Sequence, residues 1–283
     1  MAARKRSGLS TGFTIFQYII CIILAILSLL PFIIMLVNAT RSSSEIQANA
    51  ISFIPGKSLL TNYKVFDGKS FNPWTGFINS AIISVCATAC TIYFSTLTAY
   101  TLVAYDWKAK KAFFALIMCV LMIPGQVTAI GFYQFMYKVG LVNSFIPLIL
   151  PAIAAPATVF FMRQYMLPSL SMEIVQSARI DGAGEFRIFN QIVLPLMKPA
   201  MATQAIFSFV ATWNALFIPL ILLIDRKKWT MPIMVAQLQG DMYKTEYGAV
   251  YLALVMTVLP LFVVYFLLSK YIIAGVALGG VKE

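Results

Sequence analysis

The 283-residue sequence contains no histidine, and only 11% of its residues are charged. A water-soluble domain carries about 25%, so this chain lacks the charge to cover a water-facing surface. Without histidine, the commonest general base and metal ligand is missing. The four cysteines, Cys21, Cys86, Cys90 and Cys119, all lie in apolar stretches. Cys86 and Cys90 share a helix face, but a metal site needs further Cys or His partners, and they read as small buried hydrophobes. No phosphate loop of the G-x-x-x-x-G-K-[ST] type occurs, which excludes ATP binding by that route. No catalytic constellation is present either, so the chain reads as a non-enzyme.

What is abundant is apolar surface, at 60% of residues. It falls into charge-free runs at Ser7–Thr40, Phe71–Tyr105, Ala112–Tyr137, Val139–Met162, Pro199–Ile224 and Tyr247–Ser269. Each exceeds the roughly 20 residues a helix needs to cross about 30 Å of hydrocarbon. Barrel strands are shorter and alternate polar with apolar residues, which these runs do not. The expectation is an all-α, polytopic membrane protein with six transmembrane helices, at about 13–37 (bent at Pro31), 77–102, 112–132, 145–163, 200–224 and 247–270. Pro147, Pro151 and Pro156 should bend the fourth, and backbone groups freed there need partners inside the protein. The first run, behind Arg4, Lys5 and Arg6, reads as a retained helix because no convincing cleavage site follows it.

None of these runs holds an ionisable residue at depth. Proton-driven and voltage-sensing machines place such residues within the membrane, so a transporter built this way takes its energy from a partner. Sodium coupling through carbonyls and hydroxyls stays open. The net charge of +11 sits at the ends of the runs, which argues for membrane anchoring and against nucleic acid. With both termini inside, twelve of the 21 Lys and Arg are cytoplasmic and nine external. The tight basic clusters lie on the inner side, as the positive-inside rule asks. The division is then a cytoplasmic N-terminus, 1–12, a single transmembrane domain, 13–270, and a cytoplasmic tail, 271–283. Asp225–Glu246 reads as an external loop whose aromatic and polar mix suits either a binding partner or plain solvent.

The inside segment 168–199 differs from everything around it. Ser171 is placed to cap a short helix that opens with Glu173, and Asp181-Gly182 ends it because glycine permits a sharp turn. Glu185–Val193 reads as a second short helix, finishing at Leu194-Pro195. Glu173, Asp181 and Glu185 balance Arg179, Arg187 and Lys198, so the segment is no lipid-binding basic patch. Ile180, Phe186, Ile188 and Phe189 are too apolar for water. Small residues at Ser177, Ala178, Gly182 and Ala183 permit close approach. From these properties alone, docking into a groove on another protein and packing on the chain's own helix ends are equally good accounts.

The spacing adds a family. Gln176-Ser177-Ala178, then Gly182 after three residues, then Ile192-Val193-Leu194-Pro195 after nine more, resembles the E-A-A-x3-G-x9-I-x-L-P signature of ATP-binding-cassette importer permeases. Ala178-Arg179-Ile180-Asp181-Gly182-Ala183 is similar to the carbohydrate-uptake branch with the maltose-type permeases. Asn79-Ser80, Ala99-Tyr100, Met122-Ile123-Pro124, Gly140–Ser144, Arg163-Gln164-Tyr165, Trp213-Asn214 and the tail from Gly275 to Lys282 agree with its smaller permease subunit.

The resemblance implies a type I importer permease fold, found in a bacterial or archaeal cytoplasmic membrane, with no cofactor of its own. Its partners would be a second, homologous permease, two ATPase subunits holding ATP and Mg, and an extracytoplasmic solute-binding protein, with a carbohydrate, by analogy an oligosaccharide, as cargo. Glu173, Gln176, Ser177, Ala178, Asp181, Gly182, Ala183, Glu185, Phe186 and Arg187 would then form the ATPase-coupling helix loop, and Gly279, Gly280, Val281 and Lys282 would touch the ATPase from the tail.

Three departures stand out, one of them Ser177 in place of the signature's first alanine. Gln176 replaces the glutamate that would bridge to the ATPase, which exchanges a hydrogen bond of about 1.5–3 kcal/mol for one of about 0.5–1.5. That leaves Glu173 or Glu185 to supply charge. Glu283 stands where the family has glycine. Amide, hydroxyl and aromatic groups suit sugars, so Gln126, Gln204, Thr212, Trp213 and Asn214 are the candidate substrate-pathway residues, although tryptophan in a membrane helix more often packs. The alternatives are a permease for another solute, such as glycerol-phosphate or a peptide, and a stand-alone channel or secondary transporter.

Overall fold

The computed structural model describes residues 8–68, 72–240 and 245–280, and all regular structure among them is helical. In chain order the helices are α1 Gly8–Ala39, α2 Ser43–Ala48, α3 Leu59–Gly68, α4 Pro73–Ala104, α5 Lys110–Leu121, α6 Gly125–Lys138 and α7 Ile146–Ile149. They continue with α8 Pro156–Ser169, α9 Met172–Ile180, α10 Glu185–Leu196, α11 Lys198–Trp213, α12 Phe217–Leu222, α13 Met231–Gln239 and α14 Tyr247–Gly280. Four segments, Gly12–Ala39, Pro73–Ala104, Ile146–Ser169 and Tyr247–Ser269, are long and apolar enough to cross a membrane. The bent pairs α5–α6 and α10–α11 bring the number to six when each is counted as one crossing.

The chain divides into two compact units, Met1–Lys69 with Gln237–Met256, and Ser70–Ala236 with Thr257–Glu283. In the first, α1 has a mean hydropathy of 3.2 and leaves its apolar side chains exposed. A helix apolar all round faces lipid or other apolar surface, not water. Arg41, just beyond α1, is buried; its guanidinium donates to Asn38 Oδ1 and to the carbonyls of Asn49 and Glu45 at 2.8–2.9 Å. Asn62 of α3 donates to the carbonyls of Ala39 and Arg41, both at 2.9 Å. Gly248 lies so close that a Cβ there would sit 2.4 Å from Asn62 Oδ1 and 2.6 Å from the Arg41 carbonyl oxygen. The start of α14 therefore needs glycine at this position.

In the second unit α4 is the central helix, packed on α8 and α11, while α5 packs on α8 and α12 on α6. Asn72 caps α4, its side chain accepting from the N–H groups of Trp74 and Thr75, with Pro73 in the first turn, where its missing N–H costs nothing.

The expectations of continuous helices in the third and fifth apolar runs fail at prolines, while the fourth is irregular at its prolines as expected. The third crossing is not the continuous helix expected over 112–132: α5 and α6 meet at 96°. Pro124 is extended (φ −64°, ψ 126°), proline disfavours helix in the residue before it, and Met122 and Ile123 close α5 with i→i−3 bonds. In the fourth crossing α7 passes into a 3₁₀ turn, Leu150–Ile153, before Pro156 opens α8. Thr91 Oγ1 of α4 donates to the Ala152 carbonyl at 3.0 Å, supplying the internal partner that irregular backbone in a membrane requires.

The fifth crossing ends early, at Trp213, and resumes at Phe217. In a continuous helix Pro219 would collide with the carbonyl four residues back, that of Ala215, and the break at 214–216 removes the collision. Asp225–Glu246 is not the plain external loop expected, because it contains α13, whose Met231, Ile233 and Met234 are fully buried. Cys21, Cys86 and Cys119 are exposed on the single chain and Cys90 is half-buried, so they are not the buried hydrophobes expected.

Candidate functional site

The segment 172–196 forms two helices joined by a glycine turn. Ser171 occupies the cap position of α9, but its hydroxyl makes no capping bond. The α9 helix closes with the Ala183 N–H donating to the Ala178 carbonyl and the Gly182 N–H to that of Arg179, both at 3.0 Å. This is a Schellman closure, and Gly182 takes the left-handed conformation it requires, with φ +78°. Among the described residues no atom outside its chain neighbours lies within 4 Å of a Cβ built at Gly182, so the glycine serves backbone conformation and not crowding by those residues.

The segment's apolar residues divide into a buried set and an exposed set. Val175, Ile188, Phe189 and Val193 are buried with Tyr100, Met162, Met166 and Met197 in one core under the segment. Ile180 and Phe186 point the other way, 86% and 73% exposed. At about 25 cal/mol per Å², two such side chains are worth covering. Within α10 the residues Phe189–Val193 form one π turn, a widening frequent at functional positions. α10 meets α11 at 80° and carries the charges of Glu185 and Arg187 in its first turn.

Glu185 holds the segment's polar centre. Its Oε1 accepts from Arg179 Nε at 2.6 Å and its Oε2 from Arg179 Nη2 at 3.3 Å. The hydroxyls of Tyr100, at 3.1 Å, and Tyr105 also donate to Oε2. The Arg179 guanidinium lies 5.2 Å from the centre of the Tyr105 ring. The Arg179 hydrogen bond holds the Glu185 carboxyl below its ordinary value of 4.5 and raises the arginine in turn. Glu185 is therefore engaged within the chain and is not the spare charge expected to replace Gln176. Gln176, Ser177, Glu173 and Asp181 are exposed, as is Arg187, which donates to Gln191 Oε1 at 2.9 Å; Ala178 is buried and Ala183 half-buried.

In the same unit, α4, α6, α7, α11 and α12 line a partly open cavity of about 470 Å³. Its walls are mostly apolar, among them Ile83, Phe132, Leu148 and Ile218, with hydroxyls from Ser80, Thr128, Thr212 and Thr230. Thr128 and Thr212 donate to their own helix backbones, at Gly125 and Ser208. Ser80 Oγ accepts from the Met231 N–H at 2.9 Å. Thr230 Oγ1 is buried with no hydrogen-bond partner among the described residues.

Of the five substrate-pathway candidates, only Thr212 lines this cavity. Gln126 and Asn214 are exposed and Gln204 half-buried elsewhere. Trp213 is 1% exposed, its indole N–H donating to the Thr257 carbonyl at 2.8 Å and its ring stacked on Phe209, so it packs. Gly279 and Gly280 lie at the end of α14, and Val281 and Lys282 lie outside the described residues.

Residues not singled out as sites organise the cavity's rim. Asn79 donates to the carbonyls of Lys227 and Trp229, both at 2.9 Å. Asn143, at φ +60°, donates its N–H to the Leu222 carbonyl at 2.8 Å and accepts from the Asp225 N–H at 3.1 Å and from Lys228 Nζ at 2.5 Å. Asparagine tolerates the left-handed region better than most residues, which was the only local signal for Asn143.

Comparison with known proteins adds the family. The model for the binding-protein-dependent transport system inner membrane component matches residues 92–277. The chain is 37% identical over 261 residues to the arabinooligosaccharides transport system permease protein AraQ of Halalkalibacterium halodurans, covering 92% of this chain and 93% of that one. It is 32% identical to the melibiose/raffinose/stachyose import permease protein MelC of Bacillus subtilis, over 92% of this chain and 94% of that one. Its fold matches a chain from a bacterial ABC transporter involved in the import of the acidic polysaccharide alginate, with a TM-score of 0.80 at 21% identity, covering 95% of this chain and all of the other. The chain belongs to the binding-protein-dependent transport system inner membrane components and is a permease subunit of an ATP-binding-cassette importer.

Proposed function

We propose that this chain forms half of the translocation pathway of an importer for an oligosaccharide, with a second, homologous permease forming the other half. As a permease of this family it is a multi-pass inner membrane protein without catalytic activity or cofactor, and a separate ATPase subunit binds the nucleotide. The observation that carries the cargo assignment is the 37% identity, over nearly the whole chain, to an arabinooligosaccharide permease. In this reading an external binding protein delivers the sugar and residues 13–270 act as one transmembrane domain. Both termini face the cytoplasm, and Gly279–Lys282 touch the ATPase.

The coupling role is proposed for Glu173–Arg187. The exposed Ile180 and Phe186 offer an apolar face for the ATPase to cover, and exposed Gln176 and Asp181 offer polar contacts at its edge. Closure of two ATPase subunits on ATP pushes this face, and the buried core beneath it passes the push to α4, α8 and α11. Rocking of packed helices as rigid bodies is a common form of such a transition. The cavity is poor in free hydrogen-bond groups, so a sugar passing it takes most of its polar contacts from the partner permease. Thr212 and Thr230 are this chain's contribution at the wall.

Calorimetric titration of the cognate binding protein with arabinotriose, raffinose and glycerol 3-phosphate tests the cargo. Micromolar or tighter binding of either sugar, and none of glycerol 3-phosphate, is expected. Binding of glycerol 3-phosphate alone overturns the oligosaccharide reading.

A further inference from the structure

The turn that joins the two short helices, Asp181-Gly182-Ala183-Gly184, holds two glycines and no buried side chain. It is the soft point of any lever built from this segment, because glycine leaves the backbone most freedom. Arg179 lies before the turn and Glu185 after it, and their contacts at 2.6 and 3.3 Å staple it shut. The same carboxylate accepts from Tyr100 and Tyr105, which belong to the cytoplasmic end of α4 and lie 85 and 80 residues away in sequence. Tyr100 is 2% exposed, its ring held between those of Phe189 and Tyr105 at 5.7 and 5.8 Å, so its hydroxyl is a fixed post. Four hydrogen bonds nearly fill the acceptor sites of a carboxylate.

We propose that Glu185 is a positioning residue that latches the 172–196 segment to the end of α4, so that segment and helix move as one body. The inference rests on the coupling role proposed above. Force enters at Ile180 and Phe186, on either side of the glycine turn. With the turn stapled, the two side chains cannot move independently. The latch then delivers the displacement to α4, the helix on which α8 and α11 pack. Without it the turn yields, and ATP is hydrolysed with little movement of the membrane helices.

The test uses the complete transporter with its binding protein, in nanodiscs. Cys21, Cys86, Cys90 and Cys119 are replaced by alanine, and spin labels are placed at Thr101→Cys on α4 and Gln191→Cys on α10. With Glu185 present, the distance between labels should shift by less than about 2 Å between the nucleotide-free and ATP–vanadate states, the scale of a small helix adjustment. With Glu185→Ala the distribution should broaden and shift by about 5 Å, the scale of one helical turn. Hydrolysis should persist while arabinotriose carried per ATP falls about tenfold, as expected for losing hydrogen bonds to a charged group.

Tyr105→Phe removes one hydroxyl and keeps the ring, and should give an intermediate distribution even if Glu185→Ala does not assemble. A shift of about 5 Å with Glu185 intact, or distances unchanged in both Tyr105→Phe and Glu185→Gln, overturns the latch. Gly182→Trp separates the two claims. Loss of stimulated hydrolysis there, with unchanged label distances in the Glu185 and Tyr105 variants, leaves the coupling role standing and refutes only the latch. Full activity in Gly182→Trp refutes the coupling role itself.

Discussion

Replacing Asn79 with alanine should destabilise the protein more than any comparable change on the lipid-facing side of α4. Asn79 is 7% exposed, and its amide donates to two carbonyls, Lys227 and Trp229, at 2.9 Å. These bonds cross from α4 to the strand of chain that also presents Thr230 to the cavity. Alanine removes the side-chain donor from two part-buried carbonyl oxygens. Each lost neutral bond is worth about 0.5–1.5 kcal/mol and each orphaned group costs about 1–3. Because the two carbonyls can relax together, a total of about 2–3 kcal/mol is expected. For a domain of this size that lowers the melting midpoint by about 5–10 °C. The assay is thermal unfolding of purified protein in detergent, followed by tryptophan fluorescence, with Ile78→Ala on the exposed side of the same helix as the control. A drop of less than about 1 °C in Asn79→Ala, or an equal drop in the control, would refute the claim that these bonds hold the rim.

Gly248→Val should be destabilising by about 1–3 kcal/mol or prevent folding, since a Cβ would meet Asn62 Oδ1 at 2.4 Å and backbone oxygen at 2.6 Å; the yield of monodisperse protein on size exclusion checks it. The Glu185 carboxyl is held below 4.5 by Arg179, so its contribution to holding the segment is present above that value and is lost as pH falls through the lowered one. Amide exchange across 172–196, corrected for intrinsic rate, should be flat from neutral pH down to about pH 5 and rise below pH 4.5, and the rise should vanish in Glu185→Gln.

The candidate membrane helices, four or up to six with the bent pairs, were legible because lipid imposes a composition that no other surface imposes, and runs without charge mark it directly. The breaks inside them were less so. Pro124 was visible, yet the residues on both sides stay apolar, and composition does not distinguish a straight helix from two limbs at 96°. The α13 helix was hidden for the opposite reason: Arg226, Lys227 and Lys228 announce solvent, although the chain turns back and buries Met231 and Met234.

In the 172–196 segment the glycine turn and the short helices followed from local chemistry. The fate of its apolar residues did not, because Ile188 and Ile180 look alike until their neighbours are known. Glu185 and Arg179 are six apart across a turn, a spacing that corresponds to no helix face, and Tyr100 and Tyr105 are distant in sequence. Asn79-Ser80, Ala99-Tyr100 and Asn143 were noticed as pieces of a resemblance. In the structure Asn79 and Asn143 bind backbone within 222–229 and Tyr100 donates to Glu185.

The most direct test of the central claim, that the ATPase drives this chain through the 172–196 loop, is binding-protein-stimulated ATP hydrolysis by the reconstituted transporter carrying Gly182→Trp. Among the described residues no atom beyond the adjacent chain crowds Gly182, so against those residues the change costs only the left-handed strain, about 1–2 kcal/mol, and the subunits should still copurify. Stimulated hydrolysis should fall at least about tenfold, the change expected from about 1.4 kcal/mol of lost docking. Stimulation at the level of the unmodified transporter, from an intact complex, would contradict the account.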